Sequence, residues 1–300
     1  MKFIKQDLII ASRSSSLALK QCEIFKEYLK NINTSVLKIV TTGDKIIDKQ
    51  LHELGGKGLF VKGLENALLD NKADVAVHSM KDMEWSIAKG TRVAAVLPRG
   101  SRRDLLIGKY KSFDEIPIGA TIGTSSVRRK AFLLNKRPDL KIHPIRGNVN
   151  TRLSKLHNND FDAIILAEAG IQRLNIKVNS FVLPESILIS SAAQGAIAIQ
   201  AKEEDTELHE FLSAINDPIT EKETLAERSF VKSLNGNCSS PIAASAVIKD
   251  QSIKLIGAIA SEDGKVVIKD SLTDHVKNAV KLGEKLAKTI LSKVNRNERF

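Results

Sequence analysis

Only two cysteines, Cys22 and Cys238, occur in 300 residues. That excludes a disulfide framework and agrees with a reducing compartment. Aromatic residues make up 4% of the chain, which counts against a protein that stacks nucleic-acid bases on its rings. No apolar run is long enough to cross a bilayer. The first eleven residues carry Lys2, Lys5 and Asp7 around a short apolar run, which is not the pattern of a signal peptide. A soluble, cytoplasmic protein is expected. The composition is neither low-complexity nor disordered, and the length allows two or three domains with a substantial core. What the chain does have is positive charge, a net +11. Nucleic acid, an anionic membrane and an acidic small molecule all fit that sign.

The stretch Ile122-Gly123-Thr124-Ser125-Ser126-Val127-Arg128-Arg129 reads as a strand end, a tight turn and the first turn of a helix. Gly123 permits the turn, and Thr124, Ser125 or Ser126 can cap the helix. Free backbone N–H groups and the positive helix end favour an anion there. Arg128 and Arg129 add two forks suited to carboxylate or phosphate. An anion-binding floor is one reading, and a capped helix with a solvated basic first turn is the plainer one.

The pattern recurs along the chain. Leu8-Ile9-Ile10-Ala11 is a buried strand leading into Ser12-Arg13-Ser14-Ser15 and a helix. Val36 to Thr41 is a further strand. Leu54-Gly55-Gly56-Lys57-Gly58 is a glycine-rich hinge without the spacing of a nucleotide P-loop. Ala73 to Val77 is a strand that opens into His78-Ser79-Met80-Lys81-Asp82, polar groups where open α/β sheets place ligands. Ile145-Arg146-Gly147-Asn148 leads into a third helix, which carries Arg152. Gly58 through Val77 and Gly147 through Ile165 share the order glycine, helix, polar turn, aspartate, buried strand, offset by 88 or 89 residues. A repeat of that size predicts two similar α/β domains facing a cleft. The segment Leu188–Gln200, with Gln194 inside it, is expected to cross back and complete the first sheet. Thr206 is a possible cap for the next helix. The expected partition is 1–98 with 195–216, then 99–194, then a small α+β domain over 217–300 that carries Cys238 in a loop.

In this order the motifs resemble the porphobilinogen deaminase family over nearly the whole chain. The matching stretches are Arg13 with Ser15, Thr42-Gly43-Asp44, Gly55 to Phe60, Val77 to Asp82, Gly123 to Arg129, Arg146 to Val149, Thr151 to Leu153, Ala169 to Leu174, and Gly236-Asn237-Cys238 with Pro241. The resemblance implies two domains similar to the lobes of periplasmic-type binding proteins and a third, small one. It implies a dipyrromethane cofactor held by a thioether to Cys238, and four additions of porphobilinogen with loss of ammonia. Water then releases the linear tetrapyrrole.

On that resemblance Asp82 is the catalytic carboxylate. Arg13, Ser15, Lys81, Thr124, Ser126, Arg128, Arg129, Arg146, Arg152 and Arg173 meet the carboxylates of cofactor and substrate, and Lys57, Ser79 and Gln194 support the loops. No metal, nucleic acid or membrane partner is expected, and the protein is expected to be a monomer. The chain departs from the usual pattern at Met83-Glu84, at Ala193 where glycine is frequent, and at Asn237 and Ser239 beside the cysteine. Two other classes stay open at this point. A solute-binding module would need neither Cys238 nor Asp82, and a nucleic-acid binder would fit the charge but not the dispersed arginines.

Overall fold

A computed structural model describes residues 7–30, 32–41, 43, 58, 60–236 and 240–295. Cys238 and Lys57, both expected at the site, lie outside the described residues.

In chain order the elements begin with β1 (Asp7–Arg13), α1 (Ser16–Lys26), β2 (Asn33–Ile39), α2 (Lys62–Leu69), β3 (Val75–Ser79) and β4 (Thr91–Val96). They continue with β5 (Asp104–Gly108), β6 (Thr121–Gly123), α3 (Val127–Lys136), β7 (Lys141–His143), α4 (Val149–His157), β8 (Ala163–Ala167), α5 (Glu168–Arg173) and β9 (Ser180–Leu183). Then follow β10 (Ile197–Lys202), α6 (Thr206–Ser213), α7 (Pro218–Ser233), β11 (Ile242–Lys249), β12 (Ser252–Ala260), β13 (Val267–His275) and α8 (Ala279–Val294). Short apolar runs such as Val75-Ala76-Val77 become strands covered on both faces, as parallel sheets require. The α6 cap is Asp205, which accepts from Leu208 N at 3.1 Å, and not the expected Thr206. A carboxylate one residue earlier serves the same free amides.

The chain forms two compact units, residues 1–100 with 196–221 and residues 101–195 with 222–300. In the first unit the sheet runs β2-β1-β3-β10-β4. Strands β2, β1 and β3 are parallel, and β10 is antiparallel to both β3 and β4. In the second unit the sheet runs β7-β6-β8-β5-β9. Here β7, β6 and β8 are parallel, and β5 is antiparallel to β8 and β9. The two sheets therefore have one topology, each with a single strand supplied by the chain crossing from the other segment. This is the structural form of the repeat of 88 or 89 residues read in the sequence.

The first core packs Leu8, Ile10, Phe25, Val75, Val77 and Ile199 on the α1 face of its sheet. Leu64, Leu68 and Ala76 fill the α2 face. The second unit also holds the antiparallel sheet β11-β12-β13, a small α+β layer with α8 packed on it. Ala243, Ala258 and Ala260 of that sheet share a core with Leu106, Phe132 and Ile165. The hairpin tip closes on the back of α3. Asn135 Nδ2 donates to Gly264 O at 3.0 Å, and a Cβ at Gly264 would lie 2.4 Å from Ala131 O. The helix whose first turn carries Arg128 and Arg129 is thereby held at its far end.

Candidate active site

In the first unit two parallel neighbours, β1 and β3, end side by side. β1 ends at Arg13, and Ser15 caps α1 by accepting from Ala18 N at 3.3 Å. β3 runs two residues further than the apolar pattern predicts, so His78 and Ser79 are its last residues. A single 3-10 turn, Met80–Asp82, then presents Lys81 and Asp82, both half-buried. Arg13, Ser15, Gln21, Phe60, His78, Ser79 and Asp82 line one open cavity of about 60 Å³. Carboxyl ends of parallel strands leave such a crevice because the chain turns away into helices on opposite faces.

Each group has a defined setting. The Arg13 guanidinium carbon lies 4.2 Å from the centroid of the Phe60 ring. Ser79 Oγ accepts from Gln21 Nε2 at 2.8 Å. Among the described residues, none is hydrogen-bonded to or ion-paired with the Asp82 carboxylate. His78 is buried, and its Nε2 has no hydrogen-bond partner among the described residues. Burial lowers its pKa to about 4, against a smaller opposing effect of Gln200. Gln200 belongs to a buried polar cluster. Its Nε2 donates to Thr91 Oγ1 at 2.7 Å and to Glu65 Oε1 at 3.1 Å, and Glu65 Oε1 also accepts from Ala88 N at 2.9 Å. This cluster anchors the end of the loop that begins after Asp82.

In the second unit Arg128 and Arg129 turn inward. Arg128 Nη2 reaches Asp104 Oδ2 at 2.8 Å, and Arg129 Nη2 reaches Asp104 Oδ1 at 2.6 Å. Arg128 Nη1 donates to Ile189 O and Arg129 Nη1 to Ile165 O. Gln194 Nε2 donates to the same carboxylate at 3.0 Å and to Arg102 O at 2.8 Å. All four side chains are buried. Among the described residues, two guanidiniums on one carboxylate leave a surplus positive charge at the first turn of α3, where the helix end is also positive. Burial pulls the Arg128 pKa down, Asp104 opposes this, and Arg129 adds to it by like-charge repulsion. Arg129 Nε is buried without a partner among the described residues.

The hydroxyls expected to meet an anion act on the backbone here. Ser126 caps α3 at Arg129 N, 3.4 Å away, and Thr124 Oγ1 accepts from Ser126 N at 3.2 Å. Arg146 is half-buried before α4, and Arg152 Nε donates to Gly147 O at 2.8 Å. Arg173 Nη2 donates to Gly195 O at 2.6 Å, and burial lowers its pKa to about 10.

The structure thus brings Arg13, Ser15, Ser79 and Asp82 together in one cavity, with Lys81 on the same turn. It brings Arg128, Arg129 and Gln194 together on Asp104. Sequence reasoning missed Asp104, Gln200, Glu65 and the contact of Phe60 with Arg13. Asp104 had a readable signal: a carboxylate opens the buried run Leu105-Leu106-Ile107, and a buried carboxylate needs charged donors.

The family model described as porphobilinogen deaminase, dipyromethane cofactor binding domain, matches residues 8–210. The model of the porphobilinogen deaminase C-terminal domain matches residues 222–292. A curated relative from Geobacillus sp. (strain WCH70), named porphobilinogen deaminase, is 44% identical over 294 residues, covering 95% of this chain and 94% of its own. The protein of the same name from Bacillus subtilis is 43% identical over 302 residues, covering 96% of each chain. Among solved structures, a probable amino-acid ABC transporter extracellular-binding protein from Bacillus subtilis is 13% identical, with a TM-score of 0.41. That match covers 76% of this chain and 97% of the other.

Proposed function

Because the chain belongs to the porphobilinogen deaminase family, we propose that the cavity holding Asp82 is where it deaminates and couples its substrate. The chain is an enzyme, a transferase of tetrapyrrole biosynthesis. Four porphobilinogens condense head to tail with loss of ammonia, and water then releases the linear hydroxymethylbilane.

The donor set fits an acidic pyrrole cofactor. Arg13 offers a planar fork, Ser79 a hydroxyl and Asp82 a carboxylate acceptor for pyrrole N–H, all on one small cavity. When bound, dipyrromethane supplies a primer whose free ring carbon takes the first substrate. In our reading Cys238 is its attachment point, through a thioether. Lys81, Arg146, Arg152 and Arg173 meet carboxylates of cofactor and substrate, and Lys57 is a supporting loop residue. Arg128 and Arg129 act with their surplus charge at the start of α3, with Thr124 and Ser126 holding the turn. The three-domain partition at residues 98, 194 and 216 is part of the same proposal.

Asp82 does the chemistry in this reading. Loss of ammonia from the aminomethyl group leaves a cationic pyrrole. A carboxylate fixed on a one-turn extension of a buried strand stabilises that cation without reorganising. The same carboxylate takes and returns the proton at the pyrrole nitrogen. Ser15, which caps α1, keeps the Arg13 turn in place beside it. No nucleic-acid partner is expected, and we propose a monomeric cytoplasmic enzyme. No helix of the described residues is long and apolar enough to cross a membrane.

The observation that carries this reading is Asp82 on the same cavity wall as Arg13 with no protein partner for its carboxylate among the described residues. Asp82→Asn keeps the shape and removes the charge, whereas Asp82→Glu keeps the charge and moves it by a methylene. In protein shown by intact mass to carry two linked pyrroles, Asn should lose at least about a hundredfold in turnover. Glu should retain slow turnover. Near-normal turnover by loaded Asp82→Asn would falsify the role. Cys238→Ser should give folded protein without the added mass, while Cys22→Ser should keep it.

A further inference from the structure

Phe60 lines the same cavity as Arg13 and Asp82, and its two neighbours explain its place. Gly43 lies under the ring. A Cβ built there would come within 2.2 Å of Phe60 Cε1 and 2.6 Å of Cδ1 and Cζ. Gly43 is not in the left-handed region, so the constraint on it is space for the ring and not backbone conformation. The Arg13 guanidinium lies over the same ring, 4.2 Å from its centroid, well inside the range in which a cation is attracted to a ring face. An arginine at a strand end has several rotatable bonds, and a fork can meet a carboxylate bidentately only if those bonds are fixed.

We propose that Phe60, seated on the backbone of Gly43, is a positioning residue that holds the Arg13 guanidinium at the cavity wall as a preset receptor for a ligand carboxylate. The proposal rests on the reading of the cavity given above. It assigns a function to the ring that a leucine of similar bulk would not perform, and it makes Gly43 part of the site although it touches no ligand. The order of dependence is Gly43, then Phe60, then Arg13.

The test uses the cofactor-loaded enzyme and porphobilinogen. Phe60→Leu should raise KM about fivefold to thirtyfold, the range of cation–π contacts at partly buried sites, with a smaller change in kcat. Phe60→Tyr should recover most of that loss. Gly43→Ala, which displaces the ring, should reproduce Phe60→Leu. In an Arg13→Gln background Phe60→Leu should have little further effect, as a double-mutant cycle requires of two coupled groups. By NMR the Arg13 δ-methylene protons should show an aromatic ring-current shift in the wild type that disappears in Phe60→Leu. An unchanged KM in Phe60→Leu, or a full loss that persists without Arg13, overturns the proposal. A working enzyme with no ring-current shift at Arg13 overturns it alone. A shift in protein that never turns over porphobilinogen overturns the functional reading and the proposal with it.

Discussion

Asp104→Asn should unfold the second unit far more readily than its single-atom change suggests. The Asp104 carboxylate is buried, and its donors include Arg128 Nη2, Arg129 Nη2 and Gln194 Nε2, at 2.8, 2.6 and 3.0 Å. The asparagine oxygen can still accept from the Arg129 and Gln194 side. Its NH2 then faces Arg128 Nη2, donor against donor. Two guanidiniums, each under a tenth exposed, also lose the negative charge they share. Removing one partner of a buried ion pair costs about 3–5 kcal/mol, because the remaining charge stays buried and unpaired. Against a total stability of about 5–15 kcal/mol for a typical domain, that is a large share.

Urea unfolding followed by circular dichroism reads the loss. With an m-value of about 2 kcal/mol/M, a loss near 4 kcal/mol lowers the midpoint by about 2 M. Asp104→Glu keeps the charge and should lose less. The double variant Asp104→Asn/Arg128→Met should be more stable than Asp104→Asn alone, because it removes one of the two stranded cations. A midpoint shift below about 0.5 M, or a double variant weaker than the single one, would refute the electrostatic account and leave only local packing.

Arg129→Lys keeps a charge but cannot reach both Asp104 and Ile165 O. It should lose both stability and the dipyrromethane mass of the purified protein, so intact mass and the urea midpoint should fall together. His78, held near pKa 4 by burial, binds a proton in the unfolded chain below about 6.5 that the folded chain refuses. Its contribution is therefore intact above pH 6.5 and shrinks as pH falls toward 4, by about 3 kcal/mol in all. The urea midpoint of His78→Gln should fall less than that of the wild type between pH 7 and pH 4.5. Ala193 sits at φ 58, which explains the glycine frequent at that point of the family pattern. Ala193→Gly should raise stability by up to about 1 kcal/mol through relief of left-handed strain, and no rise in midpoint would show that the strain is already offset.

The strands and the duplicated topology were legible because each is written in contiguous residues. An apolar run, a polar turn and a glycine report on their own neighbourhood, so β3 and the turn carrying Asp82 could be read from Ala73 to Asp82 alone. Arg128 and Arg129 were legible as a basic first turn, but their direction was not. Their side chains point where Asp104 is, and Asp104 comes from 24 residues earlier. It lies on β5, the strand that enters the second sheet antiparallel.

Gln200, beside His78, sits on β10, the strand that enters the first sheet antiparallel. Asp104 and Gln200 thus lie on the two crossing strands, Asp104 opposite the last residue of β8 and Gln200 opposite the second residue of β3. A crossing strand reads locally as an ordinary apolar run, and a polar residue within it gives no sign of which neighbour it will meet. Only the sheet order, β3 beside β10 and β8 beside β5, decides that. A carboxylate or amide inside such a run is therefore best read as a request for a distant partner, because leaving a buried polar group unpaired costs about 1–3 kcal/mol.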